Sequence, residues 1–145
     1  MPASSLAVPA TLHASLLGRL DRLGPTAKTV AQVNRAWTRN KPLYERIFQD
    51  IDRLVLHAAQ AVKAGDLELL GELMNINQGL LNALQVSCWG IEELVEIARN
   101  NGALGAKLTG GGGGGSMIAL CPGSSDRVAA AMRKAGYRAM VTSLG

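Results

Sequence analysis

The chain has 145 residues, 48% of them hydrophobic and 18% charged, which is enough apolar material for one domain with its own core and too much for an intrinsically disordered chain. Aromatic residues make up 3%, so stacking platforms for single-stranded nucleic acid are missing, and the 15 basic residues are scattered among 11 acidic ones. The resulting net charge of +4 suits an anionic small molecule and would also suit nucleic acid, but the scattering of the basic residues argues against a nucleic-acid partner.

Cys88 and Cys121 stand far apart outside any C-x-x-C pattern, and with two histidines no zinc site can be assembled by spacing. Two reduced thiols in a cytoplasmic protein are the expectation. No apolar run reaches the ~18 residues of a membrane span, so no membrane partner is expected. The opening MPASSLAVPATLHASLLGRL lacks a basic n-region and is not read as a secretory signal.

In chain order, residues 1–10 are small, polar or proline and are expected to lack order. Leu12, Leu16, Leu17, Leu20 and Leu23 then fall on a helical stripe that Gly24-Pro25 stops. A new helix is predicted from Thr26 as cap, with Val30, Val33 and Trp37 on one face. Asn40 and Pro42 open the next, whose face runs Leu43, Ile47, Ile51, Leu54, Val55, Ala58 and Val62, with Gly65 closing it. Asp66 caps a third helix carrying Leu67, Leu70, Leu73, Met74, Leu80, Leu81 and Leu84. Asn77 lies within that apolar stripe, and a buried amide must find partners or lose about 1–3 kcal/mol. It either binds loop backbone as a purely structural residue or orients a neighbouring glycine loop or ligand.

A fourth helix places Ile91, Leu94, Val95 and Ala98 inward and ends at Asn101-Gly102. The period then changes. Ala106–Leu108 and Met117–Leu120 read as strands flanking six consecutive glycines, Ser124 caps a last helix stopped by Gly136, and Tyr137–Val141 reads as a final strand. The fold class is therefore α+β, with helices packed on one face of a small antiparallel sheet.

The glycine run is either a tether or a cradle. A tether joins self-sufficient modules, but only about 30 residues follow the glycines, and both flanks are apolar strand. The cradle reading prevails: glycines adopt φ > 0 freely and turn successive N–H groups into one concavity that holds anions. Gly110, Gly111, Gly112, Gly113, Gly114 and Gly115 form the nest, and Thr109 and Ser116 bracket it with hydroxyls. Lys107 is nearby and is expected to point to solvent. The run lacks the G-K-[ST] ending of a Walker loop and is followed by a strand, so neither a P-loop nor a dinucleotide fingerprint fits.

The stretch GALGAKLTGGGGGGSMIAL at 102–120 resembles the third motif of the GHMP small-molecule kinases, in the form carried by the mevalonate kinase branch. GDLELLGELMNINQGLLNALQVS at 65–87, GPTAKTVAQV at 24–33 and the terminal RAMVTSLG are similar to neighbouring family segments. The resemblance covers residues 24–145 and implies a ferredoxin-like C-terminal domain, with residues 1–23 an atypical leader. It implies ATP and Mg2+ as cofactors of the complete enzyme, with Thr109, Gly110–Gly115 and Ser116 beside the nucleotide phosphates and Asn77 supporting them. Galactokinase, homoserine kinase and phosphomevalonate kinase relatives share the glycine motif, and the flanking residues favour mevalonate as acceptor. Gly111 and Ser116 stand where the family usually has Ala and Cys, which loosens the loop.

The family's main phosphate loop, P-x-x-x-G-L-x-S-S-A, does not occur in the chain, nor do the segments bearing its catalytic Asp, its Lys and its magnesium carboxylate. The chain alone is therefore expected to be inactive. It is read as a truncated kinase completed by an N-terminal domain or chain, or alternatively as a non-catalytic ferredoxin-like binding module or one half of a split kinase; a defunct gene product is a third reading. Where the family has an apolar strand before GPTAKTV, residues 13–23 read as helix, as from a shifted frame or misplaced start, so the sheet is expected to lack its first, central strand. An exposed apolar face, and with it self-association, is also expected.

Overall fold

The computed structural model describes residues 23–110 and 115–143, with side chains from residue 27 onward. The leucine stripe ahead of Leu23, Gly111–Gly114 and the last two residues lie outside the described residues. The described residues form α1 (Leu23–Arg39), α2 (Lys41–Ala64), α3 (Leu67–Ala83), α4 (Trp89–Asn100), β1 (Gly105–Thr109), β2 (Ser116–Leu120) and α5 (Ser125–Lys134). The α+β class read from the sequence holds.

Local chemistry sets most boundaries. Asn40 precedes α2 with Pro42 in its first turn, Gly65 ends it in the left-handed region, and the Asp66 carboxylate accepts from the Leu69 amide at 3.1 Å. Whether Gly24-Pro25 stops the leucine stripe lies outside the described residues. Helix α1 starts at Leu23, so the proline sits in the first turn, where its missing N–H breaks no bond, and Thr26 is helical rather than a cap. Ser124 is the N-cap residue of α5, but its hydroxyl donates to the Gly102 carbonyl at 3.1 Å rather than capping the helix.

β1 and β2 pair antiparallel, from Gly105 opposite Leu120 to Thr109 opposite Ser116. Side chains alternate across a strand, so Ala106 and Leu108 share a face with their partners Ala119 and Met117. That face packs on α4 and α5 through Ile91, Val95, Ala98, Val128 and Met132. On the opposite face Leu120 joins Leu54, Ala61, Leu70 and Leu73 from α2 and α3.

Two expectations fail here. Of the predicted α2 face, Leu54 is buried, with Ala61 beside it, but Leu43 and Val55 are 53% and 56% exposed, so the covered stripe is narrower than the apolar one. Tyr137–Val141 is not a strand; residues 137–143 are irregular. A strand needs a neighbour to bond, and among the described residues the sheet is β1 and β2 alone. The segment is tied by other means: the Tyr137 amide donates to Met132 O, the Tyr137 hydroxyl to the Glu93 carboxylate, and Arg133 Nη2 to Ala139 O.

Candidate functional site

The glycine loop joins β1 to β2, and α3 holds β1 along its free edge. Asn75 and Gln78 lie three residues apart, one turn along one helical face. Asn75 Oδ1 accepts from the Ala106 amide at 3.0 Å while its Nδ2 donates to Leu104 O at 3.2 Å. Gln78 Oε1 accepts from the Leu108 amide at 2.7 Å. Ala106 and Leu108 are two apart, so their N–H groups point to the same edge of the strand. The helix thus supplies side-chain oxygens where a third strand would supply carbonyls.

Neither amide is left with idle capacity in a buried place. Asn75 Oδ1 also accepts from Arg99 Nε at 3.0 Å. Gln78, 2% exposed, donates to Ser87 Oγ at 3.3 Å and Glu92 Oε1 at 3.1 Å. These bonds link α3, α4 and β1 into one network. Sequence reading singled out Asn77, which is 7% exposed, and passed over its neighbours at 75 and 78. The usable signal was the spacing of the two polar residues, matched to the two-residue period of the strand that follows.

Such close binding needs the helix and strand to approach almost backbone to backbone. At Gly71 an added Cβ would stand 2.5 Å from Leu104 O, and one on Gly105 would collide with the Gly71 carbonyl. Glycine at both positions lets α3 lie this near.

At the far end of β1, Thr109 faces Ser116 in register and closes the mouth of the glycine hairpin. Gly110 leaves the strand at φ 87°, a left-handed conformation open to glycine, and a Cβ on Gly115 would stand 3.5 Å from Thr109 O. Alternation puts Lys107, Thr109, Ser116 and Ile118 on one face, opposite the α4–α5 core. The structure therefore brings two hydroxyls and one ammonium together beside the loop, while Gly111–Gly114 lie outside the described residues.

Lys107 does not extend into solvent as expected. It is half-buried, and its Nζ donates to the Leu108 carbonyl at 2.7 Å. Burial pulls its pKa below the ordinary lysine value, because removal from water disfavours the charged form. Both backbone groups of Leu108 are consequently held, its N–H by Gln78 and its C=O by Lys107. Cys121 is partly buried, which pushes its thiol pKa up and leaves it a poor nucleophile. Among the described residues no three His, Cys, Asp or Glu side chains gather as metal ligands, and no helix is long and apolar enough to cross a membrane.

Comparison with known proteins agrees with this architecture. The family model described as GHMP kinases C terminal matches residues 58–138. The chain is 44% identical over 134 residues to the mevalonate kinase of Pyrococcus abyssi, covering 89% of this chain and 40% of that protein. With the mevalonate kinase of Methanothermobacter thermautotrophicus it is 41% identical over 125 residues, or 86% of this chain and 41% of that one. Among solved structures, L. major mevalonate kinase in complex with R-mevalonate superposes with a TM-score of 0.72 at 35% identity, over 75% of this chain and 34% of that chain. The chain spans about 40% of the length of the curated relatives it matches. On the family match, the identities and the shared fold, the chain belongs to the GHMP kinase family and carries that family's C-terminal domain.

Proposed function

We propose that this chain is the C-terminal domain of an ATP-dependent mevalonate kinase, in which the hairpin from Thr109 to Ser116 lies against the nucleotide phosphates. The observation that carries the reading is the register of Thr109 against Ser116, which brings the two ends of the glycine segment together at the end of a clamped strand. Peptide N–H groups unscreened by side chains suit anionic oxygens. Lys107 adds positive charge on the face that carries both hydroxyls. Asn77, buried in α3 beside Gln78, is assigned to support the loop from behind. Free Cys88 and Cys121 accord with a cytoplasmic location.

Phosphoryl transfer depends on positioning and on electrostatic stabilisation, and Mg2+ supplies much of the latter when bound with ATP. The described residues hold no acidic cluster that fits such an ion, so its ligands are assigned to the part of the kinase outside this chain. The role left to these residues is to seat phosphate oxygens and exclude water, with mevalonate the acceptor named in the similar proteins. Titration of the full chain with ATP tests the reading. Binding in the millimolar range or weaker, with no mevalonate-dependent ADP release, is expected. Tight binding together with turnover overturns the division of labour. A second reading, one half of a split kinase, is favoured if an added N-terminal chain restores turnover.

A further inference from the structure

The two edges of the sheet differ in what meets them. On β1 the outward amides of Ala106 and Leu108 are answered by Asn75 and Gln78. In an antiparallel pair the residues opposite them also turn their N–H and C=O groups away from the partner strand, which puts those of Met117 and Ala119 on the outer edge of β2. Among the described residues no group bonds to them. Unpaired edges are usually blunted by charge or proline, and the β2 sequence SMIAL has neither. Its residues are half-buried from Ser116 to Ala119, whereas β1 buries Gly105, Ala106 and Leu108. A second unpaired piece meets the same core: Ala139 packs on the cluster that also takes Met117 and Ala119. It belongs to residues 137–143, which are irregular despite strand-forming composition and leave Met140 and Val141 57% and 45% exposed.

We propose that the outer edge of β2 accepts one strand from the part of the kinase that lies outside this chain, and that the same strand pairs on its far side with residues 137–141. This rests on the reading of the chain as one domain of a larger enzyme, since it spans about 40% of its relatives' length. Sheet addition satisfies Met117 and Ala119 through main-chain hydrogen bonds, and alternate side chains give selectivity. Neighbouring strands share faces, so every second residue of the incoming strand lies beside Met117 and Ala119, over α4 and α5, and must be apolar. The stretch must also lack proline, which would remove a ladder donor. Residues 1–22 fit poorly: Leu12, Leu16, Leu17 and Leu20 are spaced for a helix, and Pro2 and Pro9 interrupt what precedes them. Two strands alone make a marginal sheet, and the addition turns them into four. It also braces β2, the second arm of the glycine hairpin, as α3 braces the first.

Amide exchange of the full chain tests this. The probe is a threonine–valine–threonine–valine–threonine strand, joined ahead of Met1 by a flexible glycine–serine linker of about 20 residues that keeps its effective concentration near millimolar. Exchange at Met117 and Ala119 is expected to be fast in the chain alone and slower by about tenfold or more with the strand attached, with residues 137–141 protected in parallel. The same strand with proline at its centre is expected to protect nothing. Ala119→Pro removes one outward donor while leaving the bonds to β1 whole, and is expected to abolish the protection. Removal of residues 140–145, where Met140 and Val141 are exposed, is expected to weaken it with circular dichroism unchanged. An attached strand that protects nothing overturns the proposal, as does protection that both changes leave intact. Slow exchange without the added strand also overturns it: the edge is then covered within one chain or, where protection rises with concentration, by a second copy. An unprotected edge alongside millimolar ATP binding sinks the strand site alone, whereas turnover by the unmodified chain sinks the domain reading alone.

Discussion

The strand pair with its helices and the α1–α2 hairpin are built from similar apolar stripes, yet they end differently. Around the sheet, Val95, Ala98 and Ala106 are 1%, 0% and 0% exposed. In the hairpin, Val30, Leu43, Val55 and Leu56 remain 53–65% exposed. Helical periodicity states which residues share a face, but burial needs a second surface to meet that face. Near β1 that surface comes from α3, α4 and α5 together, with the strand's backbone groups answered by amide side chains. Beside α1 and α2 the described residues supply less of it, and a cavity remains.

The sharpest way to break the ordered side is at its closest contact. Gly105→Ala puts a methyl into the Gly71 carbonyl, and backbone on both sides must move before α3 can bind β1 again. A loss of about 3 kcal/mol or more is expected, measured as the urea midpoint, with amide exchange of β1 accelerated along with it. Gln78→Ala is next. It strands the Leu108 N–H and leaves Glu92 and Ser87 without their shared donor, for a loss of about 2 kcal/mol. Gln78→Glu retains the acceptor for Leu108 but sets a carboxylate against Glu92, so it recovers only part of that loss and does better at low pH, where the pair can be protonated.

Much of this ordered side was legible in the sequence, and the exceptions have physical causes. Asp66, Gly65 and Pro42 mark helix ends because their chemistry acts within a turn of where they stand. The strands beside the glycines show in the shift from a 3.6-residue to a two-residue period. Asn75 and Gln78 were missed because their partners lie about 30 residues away, and a polar residue on a helix does not announce which strand edge it will meet. Gly71 was unmarked for the same reason: in sequence it is one small residue in a helix, and only the crossing with Gly105 explains it. Tyr137–Val141 has strand-forming residues, but pairing is a property of two segments, and no described strand lies beside it.

Lys107 sharpens the comparison from the functional end, since here the ordered region carries a charge that does not favour folding. Burial lowers its pKa, so between the folded value and the ordinary one near 10.5 the unfolded chain binds more protons than the folded chain. Stability therefore rises with pH through that window, and the full penalty stands at neutral pH. Lys107→Met is expected to melt higher than the wild type at pH 7, with the gap closing as pH approaches 10.5. The same variant should bind phosphate-bearing ligands more weakly. A gain in stability joined to a loss in anion binding identifies a residue kept for the site rather than for the fold.

The smallest effect is expected on the open side, and it depends on position rather than residue type. Leu56 is 65% exposed on α2, whereas Leu54, two residues earlier on the same helix, is 9% exposed and packs with Leu70, Leu73 and Leu120. Lysine is nearly as good a helix former as leucine, so Leu56→Lys should change stability by about 0.5 kcal/mol at most. Leu54→Lys places an ammonium among aliphatic side chains and should unfold the domain or force that lysine to neutralise. Two leucine-to-lysine changes one-half turn apart thus separate the covered face from the open one in a single thermal-melt experiment. A loss above 1 kcal/mol at Leu56 would show that this face is also covered in solution, and the contrast between the two regions would then lie in what covers them.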